Sequence, residues 1–154
     1  GFPIFKSCLG WLPPGFLTDM AKELKNTFVE YLREATKAVN EETRREAVYA
    51  FRFAAPDVEI KILESELFAS KDSRLRGSVL ERLGELKKIE SLPIMEAFFN
   101  DADKELKLLA IRIASQYALP DSPTVEKLRT VMMDAEENYR IHAACAIVRI
   151  YLGQ

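Results

Sequence analysis

His142 and Cys145 stand three residues apart in the segment YRIHAAC, where a ring nitrogen and a thiol share one side of a helix. Such a pair offers two metal ligands, or a base beside a nucleophile. A zinc site needs three or four ligands, and a working thiolate needs groups that orient its base. The chain has one histidine, and its other cysteine, Cys8, lies far upstream. Neither set is completed, so the plainer reading is a helix of small residues with an incidental histidine. Two cysteines so far apart form no disulfide framework, and they fit a reducing compartment or indifference to redox.

Carboxylates are plentiful. Glu64, Glu66, Glu81 and Glu85 fall at helical spacing, the last two beside Arg82 and Lys88, which is the pattern of a solvated helix face. No glycine-rich phosphate loop occurs. Gly77 and Gly84 lie seven residues apart inside a helical pattern and predict close packing rather than a ligand cradle. No catalytic residue is assigned, no metal or cofactor is expected, and the chain is read as non-enzymatic.

The elements that carry these residues are legible in a repeat. An acid or amide, a base four positions on and a small or apolar residue three further recur as Asn40–Arg44–Ala47, Asp72–Arg76–Val79, Asp103–Lys107–Ala110 and Glu136–Arg140–Ala143. A period of 31 to 33 residues marks stacked supersecondary units. With Thr43, Leu75, Leu106 and Tyr139 as position zero, apolar residues align at +4 (Ala47, Val79, Ala110, Ala143), +8 (Phe51, Leu83, Ala114, Ile147) and +11 (Ala54, Leu86, Tyr117, Ile150). Steps of four, four and three keep one helical stripe. Backwards, an apolar pair recurs at −8 and −7: Leu67–Phe68, Phe98–Phe99 and Val131–Met132, with Ala35–Thr36 as a degenerate copy.

Pro56, Pro93 and Pro123 open the preceding helices, where a missing N–H costs nothing. Ser122 and Thr18 are the expected N-caps of two of them. The acid or amide at −3 suits the N-terminal end of each second helix. The pattern predicts eight helices in four hairpins: 18–39 with 41–54, 56–70 with 73–88, 92–100 with 104–118, and 123–133 with 137–152. No period-two strand competes.

The repeat resembles the HEAT-repeat family of α-solenoids, in its short bacterial form, over residues 18–152. The likeness rests on Asp72/Arg76, Asp103/Lys107 and Glu136/Arg140, with Asn40/Arg44 as a degenerate pair. The resemblance implies an all-α fold, a right-handed α-α superhelix of about four hairpins. It also implies that the acid and base form a structural ladder between adjacent repeats, and that the second helices line a concave surface. The family includes scaffolds, adaptors, lyase-like proteins and DNA-repair proteins, so fold does not imply activity here.

Rows +2, +6 and +10 then face the groove, and the candidate contacts are Arg45, Tyr49, Phe53, Arg112, Gln116 and Arg149. Their mixed character suits a protein or peptide partner. A phosphate backbone would want one sign of charge throughout, and the net charge of −2 adds no basic footprint. The expected function is a protein-interaction scaffold or adaptor. The alternatives are a nucleic-acid-binding HEAT-like protein, or an accessory domain of a lyase-like or membrane-tethered protein.

At 154 residues, 48% hydrophobic and 30% charged, the chain has the composition of a globular protein. Residues 1–17 form an oily segment before the repeat domain at 18–154. Phe2, Phe5, Trp11 and Phe16 are read as an N-terminal cap, with dimerisation or contact with a membrane surface as alternatives. The last helix, from Ile141 to Tyr151, is also unusually apolar for a terminal repeat. The start at Gly1 rather than Met is compatible with a signal peptide or anchor removed upstream. A cytoplasmic, or membrane-tethered, location is expected, and homo-oligomerisation stays open.

Overall fold

A computed structural model describes residues 15–153. It contains eight α-helices and two short 3-10 turns, with no strand among the described residues. The chain divides after Ala55 into two compact units.

The first unit holds α1 (Phe16–Ala35), α2 (Glu41–Ala50) and a 3-10 turn, Phe51–Phe53. Helix α1 starts at Gly15, whose left-handed backbone (φ 85°) is open to glycine without the steric cost of a Cβ. Thr18 therefore lies inside the helix and is not its N-cap. The helix stops at Ala35, earlier than the expected residue 39, and the Thr36 hydroxyl there donates to the Arg33 carbonyl at 2.7 Å. Asn40 caps α2 by accepting the Thr43 N–H at 3.0 Å. Leu32, Thr36, Ala47, Val48 and Phe51 are buried.

The second unit holds three hairpins: α3 (Pro56–Ala69) with α4 (Ser73–Lys87), α5 (Leu92–Ala97) with α6 (Lys104–Tyr117), and α7 (Pro123–Val131) with α8 (Glu137–Leu152). Within it the second helices lie side by side, α4 against α6 and α6 against α8. Helix α5 ends three residues short of its expected bound, in a turn through Phe98 and Phe99. Ser122 occupies the N-cap of α7 but makes no capping bond, and its buried hydroxyl has no partner.

The expected stripe supplies much of the core. Val79, Leu83, Ala110, Ala114, Ala143 and Ile150 are buried, as are Leu67, Phe98 and Val131 at −8. Position −7 splits: Phe99 is buried, whereas Phe68 is 69% exposed. An additional row at +5, Val48, Leu80 and Ile111, is buried as well, since the apolar face of each second helix is wider than one stripe. At Gly84 α4 lies close against α6: a Cβ there would stand 2.7 Å from Ile113 Cγ2. At Gly77 the same atom would meet only ordinary contacts, 3.6 Å to Leu109 and 3.7 Å to Leu106.

Candidate functional site

The repeated charges hold the hairpins, through partners other than those suggested by their spacing. Asp72 and Asp103 cap α4 and α6, each accepting two backbone N–H groups at 3.0 and 3.3 Å. Glu136 sits at the N-cap of α8 without a capping bond and instead receives Lys104 Nζ at 3.2 Å.

Three of the four bases at +1 close the turns of their own hairpins. Arg44 donates to the Ala38 and Val39 carbonyls, Arg76 to that of Leu67, and Arg140 to those of Asp134 and Ala135. A guanidinium can reach a carbonyl and a carboxylate together because its donors fan out in a plane.

Arg76 and Lys107 also reach the next hairpin, each through the acid at −5 of that hairpin. Arg76 meets Asp101 at 3.6 Å and Lys107 meets Asp134 at 2.6 Å. Asp101 and Asp134 also accept the N–H of Asp103 and Glu136, so each carboxylate shapes its own turn while pairing with the hairpin before. The Lys107 ammonium lies 3.9 Å from the centroid of the Tyr139 ring, and the Arg76 guanidinium 5.3 Å from that of Phe98. Ser73 donates a hydrogen bond to Asp103, chiefly for which reason that carboxyl lies below its usual range. The Lys107 bond does the same for Asp134.

Beside this ladder, α4, α6 and α8 form a groove of about 1030 Å³. Gly77, Leu108, Leu109, Ala144, Cys145 and Val148 give it apolar walls. Arg74, Glu81, Glu105, Arg112, His142 and Arg149 carry its charge and polarity. Arg112 crosses from α6 to Glu81 on α4 at 2.7 Å, and Arg149 on α8 donates to Ser115 on α6 at 3.3 Å. Gly77 helps create the space, since a side chain there would stand over Leu109.

Among the expected contacts, Arg112 and Arg149 line this groove, and Gln116 is exposed on α6 without lining it. Arg45, Tyr49 and Phe53 belong to the first unit. There Arg45 lies 3.8 Å from Glu41, Tyr49 carries the Arg52 guanidinium 3.3 Å above its ring, and Phe53 is exposed. Phe2, Phe5 and Trp11 lie outside the described residues, and Phe16 opens α1.

His142 and Cys145 both line the groove. His142 Nδ1 is 2.8 Å from the Asn138 carbonyl, and Cys145 is an exposed free thiol. Among the described residues no three His, Cys, Asp or Glu side chains converge as a metal-ligand set. Among them, too, no helix is long and apolar enough to cross a membrane.

The sequence reading missed Leu108, Leu109 and Val148 as groove residues. The available signals were that Leu108 occupies the groove-facing row +2 and that Val148 follows Ile147 in an unusually apolar terminal helix. Comparison of the chain with models of protein families, with curated proteins and with solved structures returns no match.

Proposed function

We propose that this chain is a HEAT-like α-solenoid of four hairpins that binds a protein or peptide partner, without catalysis, in the groove of α4, α6 and α8. The observation that carries this reading is the composition of that groove: apolar walls from Leu108, Leu109 and Val148, edged by the Arg112–Glu81 pair and Arg149. Apolar walls combined with exposed, ion-paired side chains match the composition of a protein interface. A groove between neighbouring helices also accepts the apolar face of an amphipathic segment. Charges of both signs make it a poor track for a phosphate backbone, which favours continuous positive charge.

Panning a displayed peptide library against the protein tests the reading. The expected result is enrichment of peptides with apolar residues at helical spacing. Their affinity should fall at least tenfold in Val148→Asp and stay unchanged in Lys61→Glu, on the surface of α3. Affinity indifferent to Val148→Asp would sink the site. Salt-steep binding to duplex DNA that exceeds any peptide binding would favour the nucleic-acid alternative instead.

A further inference from the structure

Helix α1 exposes an apolar stripe. Met20, Leu24, Phe28 and Tyr31 follow one another at steps of four, four and three residues, so they align along one side of the helix. All four are exposed, Leu24 at 61% and Tyr31 at 73%. The packed side of the helix lies next to this stripe, with Leu32 and Thr36 buried. Four large apolar side chains in line exceed the scattered exposure usual on a monomer and mark an interaction surface.

The edge of the stripe away from the packed side is acidic. Asp19, Glu23, Glu30 and Glu34 run along it at steps of four, seven and four residues, and all are exposed. The bases of α1 stand elsewhere. Lys22 and Arg33 lie on the far side of the helix from the stripe, and Lys25, seven residues before Leu32, shares the packed side. Glu30 meets Arg33 at 3.2 Å and Glu34 meets Lys37 at 2.8 Å. Such exposed pairs contribute little, so an incoming base can replace them.

We propose that this stripe docks a basic amphipathic helix of a partner protein, independently of the groove described above. The apolar row supplies the seam, and the acidic row beside it selects lysine or arginine at the margin of the partner, because side chains that flank a helix–helix seam pair across it. The same row disfavours other occupants. In an antiparallel pair of two copies like edges meet, so acids would face acids. Anionic phospholipid headgroups and nucleic-acid phosphates are repelled as well.

Two three-heptad helical peptides test the site. They share leucine at a and d, and one carries lysine and the other glutamate at e and g. Titrated calorimetrically into the full chain at low salt, the lysine peptide should bind at least tenfold more tightly than the glutamate peptide. The preference should shrink as salt rises. Leu24→Gln and Tyr31→Gln should each weaken the lysine peptide at least fivefold. Lys22→Gln, on the far side of α1, and Val148→Asp, in the groove, should leave its affinity within twofold.

Charge reversal supplies a readout that loss of folding would not produce. In Glu23→Lys/Glu30→Lys the glutamate peptide should gain affinity while the lysine peptide loses it. Absence of binding, or equal affinity of the parent chain for both peptides, overturns the proposal. So does lysine-peptide binding that responds to Val148→Asp and not to Leu24→Gln. A dimer of the full chain in sedimentation that Leu24→Gln dissociates overturns it in favour of a second copy. Binding to anionic phospholipid vesicles that Leu24→Gln abolishes overturns it in favour of a membrane surface.

Discussion

Lys107 on α6 pairs with Asp134 in the turn of the next hairpin, at 2.6 Å, although Asp103 stands four residues before it. The lysine side chain is 8% exposed and its ammonium also faces the Tyr139 ring. A base this deep needs a carboxylate, because a buried charge left without one is costly. Lys107→Met should lower the thermal midpoint by several degrees. Lys104→Met, which breaks the exposed pair with Glu136, should leave it nearly unchanged. Equal shifts in a thermal scan would contradict the distinction.

Glu59 on α3 is buried and accepts the Arg82 guanidinium through both oxygens, at 2.7 and 3.2 Å, while Glu85 takes a third bond at 3.0 Å. The Glu59 bond is the main cause raising the arginine pKa further. Arg82→Met strands the carboxylate and should cost about 3 kcal/mol in urea unfolding. The double variant Glu59→Met/Arg82→Met should recover most of that, since two apolar side chains need no counter-charge.

Gly84 and Gly77 should respond differently to alanine. Alanine at 84 drives a methyl against Ile113 Cγ2, a branched group fixed in the core, and should destabilise by about 1–3 kcal/mol. Alanine at 77 finds ordinary contacts and gains helix propensity, so it should be neutral or stabilising by up to about 1 kcal/mol. Paired chemical denaturation curves check both.

The carboxyls of Asp103 and Asp134 are held below their usual range, by Ser73 and Lys107 first. A depressed folded pKa means that the unfolded chain binds protons more readily. The stabilisation is present at neutral pH and is lost as pH falls from the unfolded value of about 3.9 through the lower folded value. Asp134→Asn should therefore be less stable than the parent at pH 7, with the gap closing below about pH 4. A gap that does not narrow as pH falls below about 4 would refute this linkage.

Arg112 and Glu81 are more than half exposed, so Arg112→Ala should change stability by less than about 0.5 kcal/mol. It should nonetheless weaken any groove-selected peptide severalfold. Calorimetric titration beside a melting curve separates the two effects.

How much of this was legible in the residues follows from the range of each signal. The sequence alone determined the all-helical class, the starts of the second helices with the caps at Asn40, Asp72 and Asp103, and most of the core stripe, but not where α1 and α5 end or how α1, α7 and α8 are capped. The features it determined are local: an N-cap acts within three residues, and a stripe follows from 3.6 residues per turn.

Tertiary structure decided what the local pattern could not. The partners of Arg76 and Lys107 lie 25 and 27 residues downstream, and which carboxylate each base meets depends on how one hairpin is offset against the next. The same offset brings Arg112 to Glu81 and Arg149 to Ser115, and leaves Gln116 outside the groove although it shares a row with Arg149. Helical periodicity fixes the side of a helix on which a residue stands. Only the packing of neighbouring helices fixes what stands opposite.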